Sequence, residues 1–435
     1  MTDSALQRLI DDLAEALCRA VVVDDPEVQL LCASRHYGDE DAQRIRAVLQ
    51  RDVGLHATRH VLSQGVSTWT RPAVIPPQPN LGMVARLCAP IRHRGHLLGL
   101  LLVIDANGSL TADEITQIEG TATDIGAHLY ASHLASRQLR SARDAAVRDL
   151  LSREEATRSA GARYFHDIGW EVSALQLVVT VFRVLGQPAD AAIRSDQVLR
   201  IALNDGTSKA QRHAVMVDGQ TASLIELSNR CHPIEDARTQ ARQLTESVQQ
   251  LLGPGCRCVA GIGEPVTSLV EAWHAYEQAN VAADAAGRVE QLAPVGVWAE
   301  LGAYAFVLQL PPQALSPALL PRPFARLLRP GEPEWLLETL TSFLDHSGNA
   351  PRTAAALHIH RTSLYYRLDR IRKLVGLDLD DGENRLMLHL GVRLLELART
   401  AAPAEVSGAA AVDSPLSQVR SSVDVHRGPS EIGAR

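Results

Sequence analysis

Apolar spacing divides the chain before any motif is considered. Leu6, Leu9, Ile10, Leu13 and Leu17 recur at helical intervals and predict an amphipathic opening helix, followed by strand-like text over 21–31. A hairpin is predicted from strands over 86–92 and 96–104, joined by His93-Arg94-Gly95 and closed by 105–108, with the first strand half-buried and the second in the core. Thr111 and Glu114 have the spacing of a capping box, and Ile115, Ile118, Ala122, Ile125 and Leu129 then share one helix face. Helical periodicity continues through Arg- and Ala-rich text to about residue 160. It is too polar for a core and too regular for a loop, so it predicts a connecting helix that pairs with its copy. A second α/β pattern begins near 173. It comprises a strand over 177–182, a hairpin over 213–227 turning at Asp218-Gly219-Gln220, a helix over 234–252, a strand over 257–262 and a helix over 268–286. Pro-rich text over 311–333 reads as a linker, 334–399 as a compact helical module, and the stretch from 401 onward, which lacks periodicity, as a disordered tail.

Composition narrows the classes. The 435 residues are 46% hydrophobic and 21% charged, with a formal net charge of -7, enough chain for several domains with cores of their own. The longest apolar run, 97–104, is far short of the roughly 20 residues that span a bilayer. The first residues mix acids into a helical stripe where a secretory signal would be basic and then greasy. A cytoplasmic protein with no membrane partner is expected. Cysteines 18, 32, 88, 231, 256 and 258 form no CxxC pair, and Cys256-Arg257-Cys258 lacks nearby histidines, so neither a zinc site nor a disulfide framework is expected. The chain has no Walker loop, HExxH or GxSxG. Gly261-Ile262-Gly263 reads as a strand ending, and His166-Asp167 and His358-Ile359-His360 read as surface or packing pairs. No catalytic residue, metal or cofactor is therefore assigned. An acidic total excludes a surface that holds nucleic acid all round, but it admits one basic module on an acidic body.

That module is local. Asn349 can cap a short helix with Pro351 in its opening turn, Ala354, Ala355 and Leu357 permit close approach, and His358 takes the corner. From Arg361 a second helix stacks Leu364, Leu368, Ile371, Leu374 and Val375 on one side. Its opposite side collects Thr362, Ser363, Tyr366, Asp369, Arg370 and Lys373, flanked by Arg361, Tyr365, Arg367 and Arg372. Between 351 and 374 the basic residues are 352, 361, 367, 370, 372 and 373, against the single acid Asp369, in a chain that is acidic overall. Thr362, Ser363, Tyr366 and Arg367 are the expected base readers, with Arg352, Arg361 and Arg370 on phosphates. Lys373 is either a further DNA contact or the partner of Asp369 one turn back. An isolated basic helix is more often a solvated face. Here the corner, the short first helix and the hydroxyl pair precede it in the right order. Tyr365 is expected to pack on a neighbouring helix.

The ordered stretches Asn349…Thr353-Ala354…Leu357-His-Ile-His-Arg361, Leu364-Tyr-Tyr-Arg-Leu-Asp-Arg-Ile371, Gly376-Leu-Asp-Leu-Asp-Asp381 and Arg385-Leu…Leu388…Leu390 resemble the C-terminal helix-turn-helix domain of the PucR/CdaR bacterial transcription regulators. Thr362-Ser363 stands where that family usually has Asn-Thr, which keeps the hydroxyl chemistry. The resemblance implies a multidomain α+β chain. Residues 1–130 are a GAF-like α/β sensor domain, 131–170 a connecting helix, 171–310 a central cyclase-like (GGDEF-like) α/β domain, 311–333 a linker, 334–399 an all-α Fis-like helix-turn-helix domain, and 400–435 a tail. It implies a homo-oligomeric, sequence-specific reader of double-stranded DNA that responds to a small-molecule effector. At the central hairpin tip Asp218-Gly219-Gln220 replaces the expected run of acids, so the carboxylates for two-metal chemistry are missing and no cyclase activity is expected. Two alternatives stay open. The central α/β domain is an enzyme with the C-terminal helices as a protein-docking module, or the N-terminal domain serves dimerisation alone.

Overall fold

The computed structural model describes residues 4–50, 53–172, 175–187, 193–206, 212–310 and 320–401. The opening stripe forms α1 (Ser4–Leu17). The strand-like text beyond it divides into β1 (Val21–Asp24) and β2 (Leu30–Ala33), because the Asp25 carboxylate accepts the N–H groups of Glu27 and Gln29, both at 2.9 Å, and holds a turn between them. After α2 (Ala42–Gln50), α3 (Leu55–Ser63) and β3 (Ala73–Ile75), the expected hairpin appears as β4 (Arg86–His93) and β5 (His96–Ile104). Its end pair is His93 with His96, and the turn residues Arg94 and Gly95 both have positive φ. The antiparallel sheet runs β2-β1-β5-β4-β3. One face packs on α1 and on α4 (Ala112–Leu150) through Ile10, Leu13, Ile118 and Ile125, and the other on α3 through Ala57, Val61 and Leu62.

The capping box that starts α4 is formed: Glu114 N–H donates to Thr111 Oγ1 at 3.3 Å, and Thr111 N–H to Glu114 Oε2 at 2.7 Å. The helix is not the wholly solvated connector that its polarity suggested. It stops at Leu150, and its last turns bury Ala146, Val147 and Leu150 in the next domain's core. There α5 (Glu155–Asp167) folds back on it, with Gly161 at the crossing, where a Cβ would lie 2.5 Å from the Leu150 nitrogen. Averaged over 39 residues, two apolar ends and a polar middle look uniformly polar.

The second sheet, ordered β10-β9-β6-β8-β7, is built from β6 (Gln176–Gly186), β7 (His213–Asp218), β8 (Thr221–Ser228), β9 (Cys256–Ile262) and β10 (Val295–Val297). It is antiparallel except for β10, which runs parallel to β9. Alternation along β6 sends Val178, Phe182 and Val184 toward α6 (Ser195–Gly206) and α7 (Pro233–Leu252). Leu177, Val179 and Val181 point toward α5 and α8 (Ala272–Arg288). Gly261-Ile262-Gly263 gains a role here that its sequence did not reveal. A Cβ at Gly261 or Gly263 would strike the backbone of Ala279 or Ala275, so the glycines let an alanine-lined helix lie directly on the sheet. The apolar core is continuous between the two α/β domains. At that junction Gln197 Nε2 donates to the Pro26 carbonyl at 3.0 Å.

After α9 (Tyr304–Val307) come α10 (Arg322–Arg326), α11 (Trp335–Asp345), α12 (Ala350–Ala356), α13 (Arg361–Val375) and α14 (Gly382–Ala401). The expected linker needs correction. Residues 311–319 lie outside the described residues, but Leu320, Phe324 and Leu327 are core residues of the helical module, and the Phe324 ring lies against Gly391. Proline in the opening turn of α10 starts a helix here instead of breaking one. The tail expected over 400–435 falls outside the described residues from 402 onward. No helix among the described residues is long and apolar enough to cross a membrane.

Candidate nucleic-acid interface

The short helix α12 begins as expected: Asn349 Oδ1 accepts the Arg352 N–H at 3.0 Å, Pro351 occupies the first turn, and Thr353 and Ala354 are buried. His358 turns the corner with φ +52°, a conformation histidine tolerates better than most side chains. His360 then caps α13, its Nδ1 facing Thr362 Oγ1 at 2.5 Å and accepting the Thr362 N–H at 3.4 Å. Sequence reasoning missed this cap, because histidine lies outside the usual Ser, Thr, Asp and Asn set.

The underside of α13 is sealed by Leu364, Leu368, Ile371 and Val375, while Leu374 is half-buried. Its outer side carries Thr362, Ser363, Tyr366, Asp369, Arg370 and Lys373, all exposed, with Tyr366 65% accessible. Arg352 and Arg361 are also exposed and, among the described residues, form no ion pair. Lys373 pairs with Asp369 at 2.7 Å, and that carboxylate raises the ammonium above its usual pKa. Arg370 reaches Glu332 at 3.5 Å. Exposed pairs of this kind are weak and screened by salt, and the Arg370 guanidinium also lies over the Trp335 ring, 5.5 Å from its centroid.

One flanking residue departs from expectation. Arg367 turns inward: its Nη1 donates to Thr339 Oγ1 at 3.2 Å and its guanidinium stacks 4.9 Å from the Trp335 ring, joining α13 to α11. At 100° per residue it lies about 60° from the buried stripe, on the side where α11 packs. Its partners stand about thirty residues away in the sequence, so no local signal exposed them. Tyr365 is 48% exposed and lies beneath the guanidinium of Arg361, one turn back on the same helix. Arg372 is tied to Asp380 at 3.3 Å, fixing the turn into α14.

A short buttressing helix, a sharp corner and a longer helix with an apolar underside and a polar, cationic outer face define a helix-turn-helix of the DNA-binding kind. Residues 336–394 match the PucR C-terminal helix-turn-helix domain. The chain is 42% identical over 77 residues to the carbohydrate diacid regulator of Escherichia coli, covering 18% of this chain and 20% of that protein. It is 20% identical over 408 residues to the proline-responsive transcriptional activator PutR of Bacillus subtilis, covering 90% of this chain and 97% of PutR. To the purine catabolism regulatory protein of Bacillus subtilis it is 35% identical over 66 residues, covering 15% and 12% of the two chains. The match to the carbohydrate diacid regulator thus spans about a fifth of that relative. The C-terminal module is thus similar to the PucR C-terminal helix-turn-helix domain, and the relatives it matches carry the names of transcription regulators.

Proposed function

We propose that this chain binds duplex DNA sequence-specifically, laying α13 in the major groove, and regulates transcription in response to a small-molecule effector. The observation that carries the reading is the exposed stripe on α13, held outward by its sealed apolar underside. Thr362, Ser363 and Tyr366 are the base readers, and Arg352, Arg361, Arg370 and Lys373 engage phosphates. Arg367 is a brace between helices. Residues 1–130 act as a GAF-like sensor, and 171–310 as a cyclase-like domain that has lost its acids at the β7–β8 tip and works as a non-catalytic coupler. PutR is described as proline-responsive, which supports a metabolite effector here. The middle of α4, where Leu134 and Leu139 are exposed, supplies the self-association surface. A two-fold assembly implies repeated or palindromic half-sites. A protein that reads chromosomal DNA works in the cytoplasm.

The test is selection of fragments of the source genome by the purified full-length chain. An enriched, recurrent site whose affinity falls with salt supports the reading. A folded protein that enriches nothing, even at low ionic strength, overturns it and returns the central domain to consideration as an enzyme.

A further inference from the structure

The N-terminal domain encloses a cavity of about 30 Å³ between its sheet and the helices α2 and α3. Hydrocarbon from Val28, Val53, Val61 and Leu102 makes up much of the wall. It is broken by Asp24, at the end of β1, and by Arg44, on α2, which are 3% and 4% exposed. The surrounding polar groups are satisfied. Arg86 Nη2 donates to Asp41 Oδ2 at 2.5 Å, Asp41 accepts the N–H groups of Arg44 and Val84, and Arg44 Nη2 donates to the Val21 carbonyl at 2.8 Å. Two atoms are not. Asp24 Oδ1 and Arg44 Nε are buried without a hydrogen-bond partner among the described residues. A buried acceptor and a buried donor, both lining one cavity, are a standing cost that an occupant with the complementary pair removes.

We infer that this cavity is the effector site and takes a small aliphatic α-amino acid, with its ammonium on Asp24, its carboxylate on Arg44 and its side chain among the valines. The inference deepens the sensor reading above and rests on it. Charge selects the class. Asp24 and Asp41 balance Arg44 and Arg86, so a zwitterion enters without adding net charge to a low-dielectric core, whereas a simple anion or cation would add it. Burial, and after it the neighbouring Asp25 carboxylate, push the Asp24 carboxyl up to about 7 against the opposing pull of Arg44 and Arg86. The cavity as it stands has room for about one water molecule. Ligand entry therefore shifts α2, the element that carries Arg44.

The experiment measures thermal melting of the full-length chain with L-alanine, L-valine, L-leucine and L-proline. Beside these, isobutylamine and isobutyrate each lack one charged end of valine. At least one amino acid should raise the melting temperature by several degrees at saturation, and neither truncated analogue should. Asp24→Asn and Arg44→Lys should abolish the response. Ala57→Val, which fills the cavity from its apolar side and leaves the polar pair intact, should abolish it too and keeps the test open if the polar variants do not fold. No response to any amino acid overturns the inference and leaves a buried water as the sole occupant. An equal response to isobutyrate or isobutylamine overturns the zwitterion, and a response that survives Ala57→Val places the ligand elsewhere. Melting requires no DNA, so this result stands apart from any failure of the operator selection.

Discussion

Arg367 shows how one side chain separates reading from bracing. Seated on Trp335 and bonded to Thr339, it holds α13 against α11, so Arg367→Ala should cost stability, about 1–2 kcal/mol in chemical denaturation, and leave base preference intact. Arg361→Ala and Arg352→Ala should do the reverse. The fold should survive, while affinity drops across all sequences and the slope of log affinity against log salt shrinks by about one for each contact removed. Equal losses of folding stability in all three variants would contradict this division. Asp24 makes a prediction about pH. Its folded-state pKa, about 7, lies above the ordinary 3.8, so the folded chain holds this proton more tightly than the unfolded chain does. The stabilisation from that proton is complete below the unfolded value and is lost as pH rises toward 7. Unfolding followed between those limits should show stability falling with pH through this group, and Asp24→Asn should remove that component.

At the scale of elements, what could be read from the sequence was what local spacing encodes. The opening helix, both hairpins, the Thr111–Glu114 box, the Asn349 cap and the His358 corner all depend on neighbours within a few residues, and all are present. The second hairpin is tighter than expected, because Asp218 pairs with Thr221 and leaves Gly219, at φ +56°, to begin the turn. Long-range packing left no such trace. Gly261 reads as part of a strand ending in sequence and, like Gly161, is a crossing point in space, and the prolines that suggested a linker open α10 beside a buried Phe324. Within the candidate interface the exposed stripe was legible from 3.6-residue periodicity. The inward seat of Arg367 and the His360 cap were not. Gly161→Ala tests the crossing: with Leu150 and Ala146 backbone in the way, α5 should lift from α4 at a cost of about 1–3 kcal/mol, seen as a lowered denaturation midpoint.

For the whole molecule, the decisive feature is that α14 belongs to two bodies. Its first turns complete the core of the DNA-binding module through Leu388 and Val392. Its final turns bury Leu397 against Val289 and Val307, while Tyr304 Oη donates to Glu396 at 2.6 Å, and Arg393 joins Glu396 to Asp345. Removing that tie by Tyr304→Phe should leave the affinity of one module for one half-site unchanged, and loosen the dependence of binding on the distance between half-sites in paired operators. An unchanged spacing preference would show that the contact carries no coupling.

The same clamp bears on how such proteins can be recombined. A recognition unit cut from one regulator and grafted onto another body would arrive with its α14 shaped for the wrong host. Specificity could be exchanged by rewriting the outward stripe of α13 in place, whereas transplanting the module whole would need Val289, Tyr304 and Val307 to travel with it.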